Sequence, residues 1–332
     1  MRGQIPMAND QIPKAEALLQ IRGLEVQYNT RVGVVRAVDR VGLEVKRGQT
    51  LGLVGESGCG KSTLGFSILK LVPPPGRIAG GEIIFDGENL LEKSEAEMAK
   101  IRGKRISMVF QDPMTSLNPL LRIDGHIIET IRTHEKETTK EEAQRRAEEL
   151  VNRLGILSSR LSDYPHQFSG GMRQRIMIGL ALALNSDLVI ADEPTTSLDV
   201  IVEAQILELL KELKGAYSLT LILITHNLGV VAELADRVAV MYAGKIVEVA
   251  DAIPLYEEPL HPYTKGLLRS IPNISLAAQE LETMPGSPPD LINPPPGCRF
   301  HPRCPHVMDV CSRSEPPMKE IKPGHWAACW LY

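Results

Sequence analysis

The chain has 332 residues, of which 43% are hydrophobic and 23% are charged, and its formal net charge is -4. This composition indicates a soluble globular protein with one large domain and an appendage. The small negative charge excludes a general electrostatic attraction to nucleic acid. Every apolar run is shorter than the roughly 18 to 20 residues of a membrane-spanning helix, so we expect any pore to come from another chain.

The N-terminal segment is polar and lacks the apolar core of a secretory signal. It contains two prolines between Met1 and Lys14. These features predict a flexible tail over residues 1–15, in a cytosolic protein.

Short runs rich in β-branched residues alternate with longer helical patterns between residues 16 and 255. The runs are Gln49–Val54, Ile106–Phe110, Leu188–Ala191, Thr220–Ile224 and Val238–Met241. This alternation predicts an α/β domain with a mainly parallel sheet. Residues 112–175 interrupt it, and the charged segment Lys140–Arg153 has apolar positions at helical spacing, which predicts a helical subdomain.

A glycine-rich loop follows the first of these strands. Its sequence, Gly55-Glu-Ser-Gly-Cys-Gly60-Lys61-Ser62, fits the phosphate-loop pattern G-x-x-x-x-G-K-[ST] between a strand and a helix. Lys61 would reach the β- and γ-phosphates of a nucleotide, and Ser62 would offer a hydroxyl to Mg²⁺. The residues predicted to bind the nucleotide here are Gly55, Ser57, Gly58, Cys59, Gly60, Lys61, Ser62 and Thr63.

Cys59 lies inside this loop, next to a helix N-terminus and close in sequence to Lys61. Both features favour a thiolate, so we expect a lowered thiol pKa. Alkylation of Cys59 is then expected to block ATP binding, and ATP to protect the thiol.

A second apolar strand ends in two acids, Leu188-Val-Ile-Ala-Asp192-Glu193. Asp192 can hold Mg²⁺ through water, and Glu193 can polarise an attacking water. Adjacent carboxylates also occur at ordinary strand ends. The phosphate loop in the same chain favours the catalytic interpretation.

The segment Phe168-Ser169-Gly170-Gly171-Met172-Arg173-Gln174-Arg175 resembles the signature sequence of the ABC ATPases. It would also serve as a helix-entry turn with Ser169 as the cap. Further members of the family pattern fall in the expected order, so the resemblance covers roughly Leu18 to Tyr256. They are an adenine-stacking aromatic at Tyr28, a Q-loop at Gln111, a D-loop at Ser197-Leu198-Asp199 and a switch histidine after Thr225 at His226.

The resemblance implies roles for these residues. Tyr28 would stack on adenine, Gln111 would contact Mg²⁺ or the attacking water, and His226 would contact the γ-phosphate. In this family two nucleotide-binding domains pack head to tail, so the signature of one closes over the ATP of the other. The signature residues assigned to this nucleotide contact are Ser169, Gly170 and Gly171. Asp199 of the D-loop is also assigned to nucleotide binding. Met172 stands where the commonest family pattern has Gln.

The form of the signature at Phe168–Arg175 and the segment Thr225-His226-Asn227 resemble the D-type ATPase of the dipeptide, oligopeptide and nickel importers. Three further segments resemble these importers as a group. They are Gln111-Asp-Pro-Met-Thr-Ser-Leu-Asn-Pro119, Tyr164-Pro-His-Gln-Phe-Ser-Gly-Gly-Met and His261-Pro-Tyr-Thr264. This implies a peripheral ATPase at the cytoplasmic face of the membrane that powers peptide import. The implied partners are two transmembrane permease subunits, an F-type ATPase and, indirectly, an extracytoplasmic peptide-binding protein.

Two alternatives to peptide import stay open. One is import of nickel or another small solute by the same branch of transporters. The other is a non-transport ABC ATPase acting in translation or DNA repair. Such proteins generally carry two nucleotide-binding domains or a long coiled-coil insertion, and this sequence shows neither.

The composition changes after Tyr256, which predicts a small C-terminal domain over residues 256–332. Its segment Met284–Gly297 is too rich in proline for a helix or a central strand. We interpret that segment as a linker into the cysteine-bearing end of the chain.

Four of the five cysteines lie in this last region, at Cys298, Cys304, Cys311 and Cys329. Successive cysteines have 5, 6 and 17 residues between them, which fits neither the usual zinc pairs nor the ferredoxin runs. A metal would stabilise a segment with so little core. The leading hypothesis is a [4Fe–4S] cluster. It is implied by the resemblance, because some importers of this branch hold such a cluster with a similar C-terminal cysteine pattern. Zn²⁺ comes second, with a thiolate replaced by His301, His306 or His325, and no metal is the third possibility.

Overall fold

The computed structural model describes residues 17–111, 116–196, 198–217, 219–270 and 284–332. The predicted tail and Ser197 lie outside the described residues. The strands are β1 (Ala17–Thr30), β2 (Gly33–Lys46), β3 (Thr50–Val54), β4 (Gly76–Phe85), β5 (Glu88–Asn89), β6 (Ile106–Val109), β7 (Leu188–Asp192), β8 (Thr220–Thr225), β9 (Arg237–Tyr242), β10 (Lys245–Asp251), β11 (Lys319–Lys322) and β12 (His325–Ala327). The α-helices are α1 (Lys61–Ile68), α2 (Glu95–Ile101), α3 (Ile123–His134), α4 (Lys140–Arg153), α5 (Gly170–Leu182), α6 (Val200–Tyr217), α7 (Leu228–Leu234), α8 (Ala252–Glu257) and α9 (Pro262–Arg269).

The described chain divides into two compact units. Unit 1 contains residues 17–47, 51–91, 226–270 and 284–332. Unit 2 contains residues 48–50 and the described part of 92–225. The predicted nucleotide-binding residues are therefore distributed over both units.

An antiparallel sheet in unit 1 is built around β1, which pairs with β2 on one side and β4 on the other. Ile21 of β1 lies opposite Leu43 of β2 and Ile83 of β4. These apolar side chains are buried, as expected for strands that place one face on a core. The short β5 pairs with β4.

A second set of strands in unit 1 carries the phosphate loop. Strand β3 runs parallel to β9, and β9 pairs with β10 in antiparallel orientation. The C-terminal segment continues this pairing, because β12 pairs with β10 and β11 with β12. Gly52 of β3 lies against α7, where a Cβ atom would be 2.4 Å from Val231 Cγ1. Glycine at this position therefore permits the close approach of helix and strand.

Unit 2 contains three parallel strands, β6, β7 and β8. All residues of β7 and β8 are buried, which agrees with their continuous apolar sequences. Helix α4 coincides with the predicted charged segment and buries one stripe of its surface. The Thr139 hydroxyl accepts a hydrogen bond from the Glu142 N–H at 3.2 Å, which caps the helix N-terminus.

The predicted α/β class with a mainly parallel core is confirmed by these pairings. Each predicted strand overlaps an observed one and differs at its ends by one residue at most. Met284–Gly297 contains neither helix nor strand, as its prolines predicted. Among the described residues, no helix is both long enough and apolar enough to cross a membrane.

Candidate nucleotide-binding site

The phosphate loop, residues 55–60, joins the end of β3 to the start of α1. Gly55 and Gly60 have backbone φ angles of 156° and 108°. A Cβ atom on Gly55 would lie 2.1 Å from the carbonyl oxygen of Met241, and one on Gly60 would lie 2.1 Å from that of Ala37. Both positions therefore require glycine, for backbone conformation and for space.

Lys61 lies in the first turn of α1 with its side chain buried. Its Nζ donates hydrogen bonds to the carbonyl oxygens of Gly55 at 2.8 Å and Glu56 at 3.1 Å. The ammonium group thus lies within the curve of the loop, near where nucleotide phosphates bind in P-loop proteins. Ser62 follows on the same helix turn, and its hydroxyl is the kind of oxygen ligand that Mg²⁺ prefers.

The predicted lowering of the Cys59 pKa is wrong. The residue is 5% exposed, and burial raises its pKa above the ordinary value. Lys61 attracts a thiolate from 4.0 Å, but this attraction does not overcome the cost of desolvating the charge. A raised pKa leaves less of the reactive thiolate at neutral pH, so rapid alkylation of Cys59 is no longer expected.

Tyr28 lies near the end of β1, beside the first turn of α1. Its hydroxyl is 3.3 Å from Thr63 Oγ1, within hydrogen-bonding distance. A Cβ atom on Gly76 would lie 2.6 Å from Tyr28 Cε1, so the ring packs closely on the start of β4. The structure thus brings Tyr28 next to the helix that follows the phosphate loop, and its stacking on adenine stays a prediction.

Asp192 is the last residue of β7 in unit 2, Glu193 follows it, and both are buried. The Glu193 N–H donates to the carbonyl oxygen of Ile224 at 2.8 Å, and the Thr196 hydroxyl donates to Glu193 Oε2 at 2.6 Å. Glu193 has a φ of 50°, which is costly for a residue with a side chain. A carboxylate fixed in a strained conformation is typical of a functional site.

Ser169 is the N-cap of α5, as the alternative interpretation of the signature segment expected. Its Oγ accepts a hydrogen bond from the Met172 N–H at 3.4 Å, and the residue is exposed. Gly171 lies against α6, where a Cβ atom would be 2.4 Å from Val202 Cγ1. The signature therefore has a local structural role, and its exposed serine is available to a second chain.

The remaining predicted residues lie at the ends of elements. Asp199 precedes α6, and its Oδ1 accepts a hydrogen bond from the Val202 N–H at 2.9 Å. Gln111 is exposed two residues beyond β6, and His226 is exposed directly after β8. Among the predicted residues, unit 1 contains Tyr28, the phosphate loop, Lys61, Ser62, Thr63 and His226. Unit 2 contains Gln111, the signature, Asp192, Glu193 and Asp199.

The C-terminal cysteines lie near one another in unit 1. The Cys298 N–H donates to the carbonyl oxygen of Cys311 at 2.8 Å, and the thiols of Cys304, Cys311 and Cys329 each contribute to the raised pKa of Cys298. Burial is the largest cause, and it raises that pKa to about 11. Burial also raises the pKa values of Cys304 and Cys329. Within the described residues, however, no three His, Cys, Asp or Glu side chains are arranged as a metal-ligand set. The predicted [4Fe–4S] or Zn²⁺ site is therefore not confirmed.

Known proteins similar to this chain include ATP-binding proteins, which agrees with a nucleotide-binding site. The family model "ABC transporter" matches residues 38–196, and "Oligopeptide/dipeptide transporter, C-terminal region" matches residues 247–311. The oligopeptide transport ATP-binding protein OppD of Bacillus subtilis (strain 168) is 49% identical over 318 residues, covering 95% of this chain and 88% of that protein. OppD of Escherichia coli (strain K12) is 45% identical over 328 residues, covering 98% of this chain and 96% of that protein.

Solved structures give the same result. The dimeric structure of MJ0796, a bacterial ABC transporter cassette, matches with a TM-score of 0.64 at 28% identity, covering 70% of this chain and 98% of that chain. The fold and the phosphate site thus define an ABC-type ATPase. More closely, the chain belongs to the family of ATP-binding subunits of oligopeptide and dipeptide ABC transporters. The resemblance found in the sequence is confirmed.

Two residues that contact the phosphate loop were missed in the sequence. Arg303 and Tyr263 both hydrogen-bond to Glu56, from 247 and 207 positions away along the chain. Arg303 belongs to no motif found in the sequence. Tyr263 belongs to the His261–Thr264 segment, but its resemblance to the importers did not indicate a contact with the phosphate loop.

Proposed function

We propose that this chain hydrolyses ATP to power the import of dipeptides or oligopeptides through a membrane transporter. One observation carries the proposal. The same chain combines a phosphate loop curved around Lys61 with a C-terminal region matched by the oligopeptide and dipeptide transporter family. Substrate choice would rest with other subunits, because the predicted site in this chain serves the nucleotide alone.

The proposed hydrolysis assigns a role to each of four side chains. Lys61 would contact the β- and γ-phosphates, and Glu193 would orient and polarise the attacking water. His226 would contact the γ-phosphate, while Gln111 would respond to the bound state and pass it to a membrane subunit. Thr196 supports the role of Glu193, because its hydroxyl fixes one carboxylate oxygen.

Ser62, Asp192 and Gln111 would supply hydroxyl, carboxylate and amide oxygens, which suit Mg²⁺. When bound, this ion would neutralise charge on the phosphates. The buried position of Asp192 at the carboxyl end of a parallel strand supports its assignment, since ligands of α/β folds bind at that edge.

A second ATPase subunit completes the proposed assembly. Ser169 is exposed at the N-terminus of α5, which suits a contact with the nucleotide of another chain. We further propose that this second ATPase is of the F-type and that two permease subunits hold the pair at the cytoplasmic face of the membrane. An extracytoplasmic peptide-binding protein would deliver the substrate.

Recovery of the complex from membranes tests this proposal. The full chain, used as bait in mild detergent, is expected to recover two multi-span proteins and a second ATPase. The recovered complex, reconstituted in vesicles with its binding protein, is expected to take up radiolabelled dipeptides only with ATP. A complex with the Lys61→Ala chain is the control. Uptake of Ni²⁺ instead of peptides would redirect the substrate assignment, and recovery of ribosomes or nucleic acid would overturn transport.

We also propose, as a separate point, that the four C-terminal cysteines hold a [4Fe–4S] cluster. The neighbouring positions of the thiols support it, whereas the lack of a ligand arrangement among the described residues does not. Iron and acid-labile sulfide analysis of anoxically purified protein is the test. About four irons and four sulfides per chain are expected for such a cluster, and a colourless product containing zinc would refute it.

A further inference from the structure

A long-range ion pair joins the C-terminal region to the phosphate loop within unit 1. Arg303 donates two hydrogen bonds to the Glu56 carboxylate, from Nη1 to Oε2 at 2.8 Å and from Nη2 to Oε1 at 3.0 Å. The Arg303 side chain is 6% exposed and that of Glu56 is 26% exposed. Paired bonds of this kind fix the orientation of both groups as well as their distance.

The Arg303 guanidinium also has hydrogen-bonding partners outside the phosphate loop. Its Nε donates to the carbonyl oxygen of Pro285 at 2.9 Å, and its Nη1 lies 3.4 Å from the hydroxyl of Tyr242. All three guanidinium nitrogens therefore have partners. The Arg303 side chain therefore connects the proline-rich segment Met284–Gly297 with the phosphate loop by hydrogen bonds.

The backbone of Glu56 is fixed as well. Its N–H donates to the hydroxyl of Tyr263 at 2.9 Å. Its carbonyl oxygen accepts hydrogen bonds from Lys61 Nζ at 3.1 Å and from the Cys59 N–H at 3.3 Å. Glu56 is thus the residue at which contacts from the C-terminal region meet contacts inside the phosphate loop.

The hydroxyl of Tyr263 is placed by a cluster of buried rings. Tyr242, Tyr263 and Phe300 are each at most 1% exposed. Their ring centroids are 4.5 Å apart for the two tyrosines, and Phe300 lies 5.2 Å from Tyr242 and 5.5 Å from Tyr263. Such close packing restricts the movement of each ring, so the Tyr263 hydroxyl that accepts from the Glu56 N–H is fixed in position.

We propose that Arg303 and Tyr263 are positioning residues for the nucleotide, which hold the phosphate loop in its binding shape through Glu56. This inference rests on the proposed ATP-binding function and adds that the C-terminal region sets the affinity for nucleotide. The phosphate-loop motif leaves position 56 unspecified, so the Glu56 side chain is available for this contact. When the loop is already ordered, the nucleotide does not have to order it on binding. The free energy of binding is then more favourable by the cost of ordering the loop.

Binding of MgADP to the purified full chain, measured by calorimetry, tests the proposal. Arg303→Gln and Glu56→Gln are each expected to raise the Kd about tenfold, which corresponds to about 1.4 kcal/mol. The double variant is expected to match either single variant, because all three lose the same pair. Arg303→Lys should have a Kd between those of the unaltered chain and Arg303→Gln, since lysine keeps the positive charge but cannot donate two parallel hydrogen bonds to the carboxylate. Tyr263→Phe, which removes only the hydroxyl, should raise the Kd about threefold, less than either loss of the ion pair.

Three measurements separate positioning from a loss of structure. Arg313→Gln removes an exposed charge from the same region and is expected to bind MgADP like the unaltered chain. The chain has two tryptophans, Trp326 and Trp330, so their fluorescence reports on the fold of the C-terminal region. In the assembled complex, a positioning role raises the KM for ATP more than it lowers kcat, whereas partial unfolding lowers kcat alone.

An unchanged Kd in both Arg303→Gln and Glu56→Gln, with unchanged tryptophan emission, would overturn the positioning role. Additive effects of the two substitutions would also contradict it, because they would place the residues in separate contacts. Failure of the unaltered chain to bind MgADP would instead contradict the proposed function. Should Arg303→Gln unfold the C-terminal region, Glu56→Gln and Tyr263→Phe decide the question.

Discussion

Glu193 combines a carboxylate fixed by Thr196 with burial at the end of β7. As a general base it would contribute about 10²- to 10⁴-fold to the rate. Glu193→Gln is therefore expected to lower ATP hydrolysis by the complex at least about 100-fold while MgATP stays bound. Phosphate release and nucleotide content measure the two effects. Glu212→Gln, an exposed charge removed from α6, is the control, and normal hydrolysis by Glu193→Gln would refute the assignment.

The backbone of Glu193 leads to a second, independent prediction. Its φ of 50° lies in the left-handed region, which glycine adopts without the steric cost that a Cβ atom brings. Glu193→Gly should therefore be more stable than Glu193→Ala by about 1 kcal/mol, although glycine is normally the less favourable residue. Both variants lose the Thr196 hydrogen bond, so the comparison isolates the backbone. Urea unfolding followed by circular dichroism measures the difference, and an equal or more stable alanine variant would show that the strain is absent.

At the scale of elements, a buried polar group ties the C-terminal strands to α9. The Glu248 carboxylate accepts hydrogen bonds from the N–H groups of Leu260 at 2.7 Å and His261 at 2.9 Å, and His325 Nε2 lies 2.7 Å from it. Burial alone would raise the pKa of Glu248, but these bonds lower it below the usual value. The His261 Nδ1 accepts from the Tyr263 N–H at 3.0 Å and so caps α9.

Burial lowers the pKa of His261 from 6.5 to about 4, although the nearby Glu248 carboxylate acts in the opposite direction and Lys265 in the same one. The unfolded chain therefore binds a proton below pH 6.5 that the folded chain does not bind until about pH 4. Stability is fully present above pH 6.5 and is lost as the pH falls toward 4. Glu248 adds a loss in the same direction, at pH values below its ordinary pKa of 4.5.

The expected cost from His261 is roughly 2 kcal/mol between pH 7.5 and pH 5. Urea unfolding followed by the fluorescence of Trp326 and Trp330 measures it in the C-terminal region. His261→Asn keeps an acceptor at the helix N-cap and removes the titration, so its stability should depend less on pH by that amount. An identical pH dependence in both proteins would show that His261 does not carry the effect.

The same elements show what the sequence could and could not predict. The buried strands were predicted because their apolar runs are continuous, and α4 because its apolar positions recur at helical spacing. Strands β1 and β2 were missed because register shifts interrupt their alternation of buried and exposed residues. Strands β11 and β12 have 4 and 3 residues, too few for a pattern.

The limits of prediction at the site have a different physical origin. The phosphate loop depends on neighbours in sequence, so its motif identified it. The pKa of Cys59 depends on burial by distant parts of the fold, and the local argument from Lys61 gave the wrong sign. The contact of Arg303 with Glu56 spans 247 positions, and no spacing rule encodes it.

At the scale of the whole molecule, the signature serine is expected to act on the nucleotide of a second chain. Ser169→Ala should therefore leave the Kd of the isolated chain for MgADP unchanged within about twofold, a difference below about 0.5 kcal/mol. It should also lower ATP hydrolysis by the assembled complex. Lys61→Ala, by contrast, should abolish binding to the isolated chain, because Lys61 belongs to the loop of the same chain.

Ser169 also caps α5, so its loss is expected to lower stability by about 1 kcal/mol. Ser169→Asn separates the two roles, because asparagine is a good cap but places a bulkier amide where the small hydroxyl would meet the second nucleotide. We expect Ser169→Asn to restore the unfolding midpoint and to leave hydrolysis by the complex impaired. If it restored hydrolysis together with stability, the serine would act only through the helix, and the signature would have no direct part in the partner's site.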